Sequence, residues 1–589
     1  MNAWDWAAGI ASLLTMLALS WPLGIYVGRV FRGSNPWISR WLRPLERGIY
    51  RVAGMRCDEE GRLPEMTAGG YARALLLFSA LSLAFVYGLQ RLQHLLPLNP
   101  SELGPVPHDL ALNTAISFVT NTNWQSYGGE TTLSPLTQML GLGVQNFVSA
   151  AVGLAVMATL ARGLWRQGSR TIGNFWSDLV RGVLYVLLPL STLLALLLVG
   201  QGVVQSFAAP AEVRLLDPQL AGGESEGLRD IQLVPLGPVA SQVAIKQLGT
   251  NGGGYFNSNS AHPLENPTPL SNWLQWIAIL LLPAACCAAF GEMVRDRRQG
   301  LALLAAMTLV LVPALFLCSE FEAAGNPTLR SPTLADSSAA LPLPGNLEGK
   351  ETRFGVSASA WWAVATTAAS NGSVNSMHDS FTPLGGLIPL WLMQLGEVIY
   401  GGVGSGLYGM LLFVLVAIFV GGLLVGRTPE YLAKKVEPFE MKMATLGVIG
   451  PAACVLLGSA LAVALSVGRA GIQDPGFHGF SEVLYAFSSA SNNNGSAFAG
   501  LSANSPFYNL ALGLCMLVGR FAVIGVALAI AGSMANKRRL ALSAGTLPTH
   551  TPLFVVLLLA VVLLVGALSF LPALALGPIA EQLELSSVK

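Results

Sequence analysis

The chain has 589 residues, of which 53% are hydrophobic and 11% charged, with a net charge of +1. Soluble domains carry roughly a quarter charged residues, so the composition excludes an ordinary soluble protein and points to a bilayer. A near-neutral chain without a concentrated basic face also argues against a nucleic-acid partner.

Ten apolar runs reach the ~20 residues needed to cross a membrane. Residues 1–70 hold the first, near 4–28. It lacks the basic leader of a secretory signal and reads as a retained helix, followed by a basic segment containing Arg29, Arg32, Arg40, Arg43, Arg47, Arg51 and Arg56. Residues 71–170 carry runs near 71–97 and 134–161 on either side of the polar stretch "SFVTNTNWQSYGG" (117–129). Residues 171–298 repeat the plan, with runs near 179–205 and 271–292 around "QLGTNGGGYFNSNS" (247–260). Residues 299–440 follow with runs near 301–319 and 387–425 around "TTAASNGSVNSMHDS" (366–380). Residues 441–540 follow with runs near 443–469 and 507–533 around "FSSASNNNGSAFAG" (487–500). Residues 541–589 add a last run, near 551–575, and a tail. The six cysteines form no CxxC and no Cys/His cluster, so neither a zinc site nor a disulfide framework is expected.

Basic residues follow alternate runs: Arg162, Arg166 and Arg170; Arg295, Arg297 and Arg298; Arg427, Lys434, Lys435 and Lys442; Lys537, Arg538 and Arg539. The intervening loops are longer, poor in Lys and Arg, and rich in Pro, Gly and Ser. The positive-inside rule therefore places both termini outside and the five basic segments in the cytoplasm.

The four polar stretches centre on Asn121, Thr250, Ser370 and Asn493 and recur every 120–129 residues. Internal repeats are a common way of building transporters. Each unit reads as helix, short apolar segment, polar turn, helix. The expected fold is an all-α polytopic membrane protein in which four membrane–pore–membrane repeats surround a central selectivity filter. Non-helical backbone at membrane depth is tolerated only where it is buried in protein or lines a watery path. Glycine leaves the backbone free to turn its carbonyls inward, and rings of such oxygens can replace the hydration shell of a potassium ion. The aligned tripeptides are Asn121-Thr122-Asn123, Thr250-Asn251-Gly252, Ser370-Asn371-Gly372 and Asn493-Asn494-Gly495. Their hydroxyl and amide oxygens are expected to join the same ring. Gly252 and Gly372 carry the most weight, because a side chain there would occupy the conduction path. The tripeptides contain no carboxylate, which disfavours a divalent-cation site.

The run after the third polar stretch is too long for one ordinary span and is interrupted by Gly401, Gly402, Gly404, Ser405 and Gly406. It reads either as close helix packing through small residues or, preferably, as a broken helix whose loop blocks straight passage beneath the filter. Glu397 and Arg520 each follow their repeat's centre by 27 residues within apolar runs. That equivalence suggests an ion pair or a charged lining below the filter. Arg427 reads as an interfacial anchor or a pathway residue. His378 and Asp379 read as helix-capping residues at the outer mouth.

The segments "TNTNWQSY", "GTNGGGYFNSNSAHPLENP", "AASNGSVNSMHDSFTPLGG" and "NNNGSAFAG" resemble the signature segments of the A subunit of the potassium-importing Kdp ATPases. The resemblance covers essentially the whole chain. It implies a potassium-binding, channel-like subunit of a bacterial inner-membrane complex, with K+ as the only bound group. The implied partners are the B subunit, which is the P-type ATPase, an accessory C subunit and a small single-span F subunit. It also implies that Gln125 influences affinity for the ion, although a packing amide explains that residue equally well. The implied barrier beneath the filter diverts the ion sideways toward the P-type ATPase.

There is no P-loop GxxxxGK[ST] and no Asp-Lys-Thr-Gly phosphorylation segment, so energy is expected from another subunit. The alternative is a stand-alone potassium channel or an ion-gradient-driven transporter of the same architecture. A membrane-embedded enzyme fares poorly, for want of HExxH, paired His ligands, or GxSxG with suitable partners.

Overall fold

The structure is a computed structural model describing residues 3–33, 38–59, 61–216, 231–326, 346–426, 428–474, 476–540 and 547–587. Ten of its helices are long and apolar enough to cross a membrane, and each corresponds to one of the ten apolar runs. The chain is an all-α polytopic membrane protein. Its described strands form only two short hairpins, Ala211–Arg214 with Ile231–Val234 and Glu430–Tyr431 with Lys434–Lys435.

The helices follow in chain order. An N-terminal helix α1 (Ala3–Phe31) and a short amphipathic helix α2 (Ser39–Val52) precede the repeats. The first repeat comprises α3 (Ala68–Leu92), a short helix α4 (His108–Val119) and α5 (Val144–Trp165). The second comprises α6 (Phe175–Arg181) continuing into α7 (Leu188–Gly200), then α8 (Val239–Leu248) and α9 (Pro269–Met293). The third comprises α10 (Arg297–Ala323), α11 (Gly355–Ala368), α12 (Pro383–Gln394) and α13 (Ser405–Val425). The fourth comprises α14 (Pro438–Ala464), α15 (Phe477–Ser491) and α16 (Pro506–Asn536). Helix α17 (Pro552–Leu574) is the tenth crossing.

The helix that follows each polar stretch starts on the same device, Ser134-Pro135, Thr268-Pro269, Thr382-Pro383 and Ser505-Pro506. In each, the hydroxyl accepts a backbone N–H one turn on: Thr137, Ser271, Gly385 and Tyr508 respectively. Proline at the first helical position already has a helical φ and lacks an N–H that would go unused. Wider π turns at Thr137–Gly143 and Gly182–Leu187 and the internal prolines Pro283, Pro313 and Pro451 bend the crossings. Helices α5 and α9 are the most enclosed crossings. Apolar side chains of α3, α14 and α17, such as Leu81, Leu457 and Leu568, remain exposed, as lipid-facing surfaces should.

Helices α4, α8, α11 and α15 are 10–15 residues long, too short to cross. Each runs directly into one of the four polar tripeptides, so four helix C-termini, with their partial negative charge, meet the same region.

Candidate functional site

All four short helices end in the same way. The N–H of each tripeptide's middle residue donates to the carbonyl five residues earlier: Thr122 to Ser117 (2.9 Å), Asn251 to Lys246 (2.8 Å), Asn371 to Thr366 (3.0 Å) and Asn494 to Ser489 (2.8 Å). The first residues, Asn121, Thr250, Ser370 and Asn493, have φ of 64°, 48°, 51° and 60°. The third residues, Asn123, Gly252, Gly372 and Gly495, have φ of 54°, 82°, 86° and 106°. The middle residues stay at negative φ. The sign of φ thus alternates along each tripeptide. A β-branched Thr250 in the left-handed region is a strained exception that the surroundings must enforce.

The four tripeptides close on one another in chain order. A Cβ on Gly252 would overlap the Asn371 carbonyl oxygen, one on Gly372 that of Asn494, and one on Gly495 that of Thr122. Asn121 Nδ2 links the first repeat to the second through the Thr250 carbonyl (2.9 Å). The ring is therefore narrow because neighbouring backbones touch. A side chain at Gly252 would strike the backbone of the adjacent tripeptide. The first repeat alone carries a Cβ at the third position, and Asn123 turns its amide away onto Asn146 Oδ1 (2.7 Å).

The side-chain amides and hydroxyls form a second set of links, while Asn123 Oδ1 and Asn251 Oδ1 keep no hydrogen-bond partner among the described residues. Most of these side chains tie the repeats together. Asn251 Nδ2 donates to Asn121 Oδ1 (2.6 Å), Asn371 Nδ2 to the Lys246 carbonyl (3.1 Å), and Asn494 Nδ2 to the Thr366 carbonyl (3.0 Å). Ser370 Oγ donates to the Asn493 carbonyl (2.9 Å), and Asn493 Nδ2 donates to Thr122 Oγ1 (2.9 Å). No described residue donates a hydrogen bond to the middle-position carbonyls of Thr122, Asn371 and Asn494. Buried backbone carbonyls are otherwise almost always paired.

Sequence reasoning missed the scaffold behind the second tripeptide. Lys246, fully buried, pairs with Glu265, also fully buried, and donates to Asn259 Oδ1 (2.6 Å). Glu265 Oε1 accepts the N–H groups of Tyr255 (2.7 Å) and Phe256 (2.9 Å), and Asn259 Nδ2 holds the Gly252 carbonyl (2.6 Å). A lysine at the position filled by Ser117, Thr366 and Ser489 in the other repeats was the available signal. Gln125 also acts structurally: its amide accepts from the Gly254 N–H (2.8 Å) and donates to the Gly254 carbonyl (3.2 Å).

The long seventh run is interrupted between α12 and α13 by residues 395–404. Its loop lies against the filter: the Val403 N–H donates to Thr250 Oγ1 (2.8 Å), and a Cβ on Gly402 would approach Ser370 Cβ (3.2 Å) and Thr250 Oγ1 (3.4 Å). Gly401 and Gly406 are packed against each other, and Gly404, at φ 76°, leaves no room for a Cβ beside the Gly153 carbonyl. Small residues are thus needed here for a tight non-helical turn, with Ser405 opening α13.

Glu397 and Arg520 are both buried but do not form the suggested ion pair; they line one cavity instead. Arg520 donates to the Ser149 carbonyl (3.1 Å). Glu397 faces Ser370 and Asn494, yet neither of its carboxylate oxygens has a well-formed hydrogen bond. The cavity, about 80 Å³, begins at Ser370 and Asn493 and reaches sideways to Gly447 on α14 and Gly566 on α17. Arg427 lies outside the described residues.

His378 and Asp379 do not cap the helix that follows; Thr382 does. His378 Nδ1 meets the Tyr485 hydroxyl (3.0 Å), and Asp379 meets His478 Nε2 (3.2 Å). Burial alone would lower the His478 pKa. Hydrogen bonds to Asp379 and Glu581 outweigh that and raise it to about 10.

Comparison with known proteins adds independent findings. The family model described as potassium-transporting ATPase A subunit matches residues 10–583. The potassium-transporting ATPase potassium-binding subunit of Sorangium cellulosum is 61% identical over 574 residues, covering 98% of each chain. The similarly named subunits of Herpetosiphon aurantiacus and Chromobacterium violaceum are 59% and 55% identical, again covering 98% of each chain.

Proposed function

Because the chain belongs to the potassium-transporting ATPase A-subunit family, we propose that its four-part ring selects K+ from the outer side and passes it to a P-type ATPase partner. This chain is the potassium-binding subunit and hydrolyses no ATP. The supporting observation is the closed ring of tripeptides with alternating sign of φ, whose middle carbonyls accept no hydrogen bond from any described residue. Such oxygens are suited to taking over the hydration shell of a monovalent cation. The filter is Asn121-Thr122-Asn123, Thr250-Asn251-Gly252, Ser370-Asn371-Gly372 and Asn493-Asn494-Gly495.

Four helix C-termini add negative potential at the ring. Glu397, buried in the adjoining cavity, adds a carboxyl group whose ionised form a nearby cation would favour. The 395–404 loop closes the straight way to the cytoplasm, and the cavity beside Glu397 and Arg520 offers a sideways exit toward the partner. An accessory C subunit and a single-span F subunit complete the complex. The chain sits in a bacterial inner membrane with both termini outside, because the basic segments then face the cytoplasm.

Potassium-stimulated ATP hydrolysis by membranes containing the whole complex tests this reading against Gly252→Asp. A much higher potassium requirement, or lost selectivity, is expected. Hydrolysis indifferent to both potassium and the substitution contradicts it.

A further inference from the structure

Away from the ring, a cavity of about 550 Å³ opens between the end of α1, the polar face of α2, the ends of α5 and α6, and Arg295. Its wall holds eight arginines against three acids, Glu46, Glu65 and Asp178. Each acid is already satisfied. Arg181 and the Tyr50 and Tyr185 hydroxyls take Glu46, Arg166 and Thr171 take Glu65, and Arg162 takes Asp178. Arg32 pairs with Glu292 at the rim (3.0 Å). Arg43, Arg47 and Arg295 have no carboxylate partner among the described residues, and Arg295 rests over the Trp165 ring, 5.2 Å from its centroid. A cavity with this excess of guanidinium groups is short of an anion. Guanidinium forks match phosphate oxygens best.

Helix α2 indicates where the anion comes from. Ser39, Arg43, Glu46, Arg47 and Tyr50 face the cavity side, while Trp41, Leu45 and Val52 on the opposite face are 75%, 49% and 91% exposed. A helix with one apolar exposed face and one basic face lies in the plane of a membrane interface. Basic pockets between helices on the cytoplasmic side suit anionic headgroups. We propose that this cavity binds a phosphate-bearing anion, supplied by the headgroup of an anionic phospholipid in the inner leaflet. The proposal rests on the positive-inside orientation given above, and on neither potassium nor the ATPase.

The test uses the full chain in phosphatidylcholine nanodiscs, with thermal unfolding followed as phosphatidylglycerol is introduced. A second arm adds inorganic pyrophosphate to discs of phosphatidylcholine alone. Three forms are compared: wild type, the cavity variant Arg43→Gln/Arg47→Gln/Arg295→Gln, and the control Arg170→Gln/Arg298→Gln/Arg538→Gln, which removes exposed arginines outside the cavity. Phosphatidylglycerol should raise the midpoint of wild type and control. The cavity variant should need about tenfold more lipid or show no rise, since several charge-assisted hydrogen bonds are gone. A rise with pyrophosphate but not with phosphatidylglycerol overturns the lipid source and assigns the site to a soluble phosphate. Equal losses in control and cavity variant, or no response to either probe, overturn the site. If the triple variant does not fold, Arg47→Gln alone carries the same comparison.

Discussion

Lys246 and Glu265 show what a single buried pair does for the ring. Both side chains are fully enclosed, and the carboxylate also holds two backbone N–H groups beside the second tripeptide. Removing one partner from such a pair strands a charge, which costs about 3–5 kcal/mol, whereas replacing both costs far less. Lys246→Met should therefore lower the melting temperature sharply and raise the potassium requirement. Lys246→Met/Glu265→Gln should recover most of the stability, and a double-mutant cycle by calorimetry measures the difference. Glu397 is the opposite case, a buried carboxylate with no well-formed partner. Such a charge is destabilising unless a cation is near. Glu397→Gln is expected to raise thermal stability in potassium-free buffer while weakening potassium stimulation of ATP hydrolysis. A variant less stable under those conditions would show that the carboxylate acts only as a structural acceptor. The sequence marked Glu397 as a candidate but gave no partner for it or for Lys246, because hydrogen-bond partners far apart in the chain are set by packing. The same limit explains why the amide nitrogens of Asn121, Asn251, Asn371, Asn493 and Asn494, as links between repeats, could not be read from the sequence.

At the scale of elements, a link joins three segments near the start of α15. His478 on α15 meets Asp379, in the turn before α12, and Glu581, in the C-terminal helix Ala580–Ser587. The His478 pKa is raised to about 10, so its stabilisation is complete below the ordinary histidine range near 6.5 and is lost as pH rises through about 10. Glu482, one turn along the same helix, has its pKa raised to about 7 by burial and by Asp379 and Asp474. Its neutral form is favoured in the fold, so stability falls as pH rises from the ordinary carboxylate range through about 7. Thermal midpoints should thus decline from mildly acidic to alkaline pH, with the alkaline part of the decline weakened in Glu581→Gln. A profile unchanged by that substitution would break the link. Much at this scale was legible. The glycine cluster at 401–406 foretold the break between α12 and α13, and the polar centres foretold the four turns, though not their left-handed backbone. The Ser/Thr-Pro pairs that open the helix after each filter were also present in the sequence, but their register becomes evident only once the helix ends are located. The capping role expected of His378 and Asp379 belongs to one of these pairs, Thr382-Pro383.

Across the whole molecule, the ten crossings follow from hydropathy alone, because a bilayer leaves the backbone no choice but to satisfy itself within helices. The four short helices and their tripeptides were recognisable through repetition, each unit confirming the others. How the units close into a ring was not recognisable, since Gly252 against Asn371, Gly372 against Asn494 and Gly495 against Thr122 are contacts between repeats. The loop from 395 to 404 places Gly402 and Val403 directly against Thr250 and Ser370, and the cavity lined by Glu397 and Arg520 extends to Gly447 on α14 and Gly566 on α17. On the proposed reading, the chain alone is a selective but obstructed path, which requires a partner to complete transport. The decisive measurement is potassium flux into proteoliposomes containing either this chain alone or the full complex supplied with ATP. The account predicts negligible flux through the chain alone, even down a steep potassium gradient, and ATP-dependent accumulation by the complex. Rapid potassium flux through the chain alone, unaffected by ATP and the partner subunits, would contradict it.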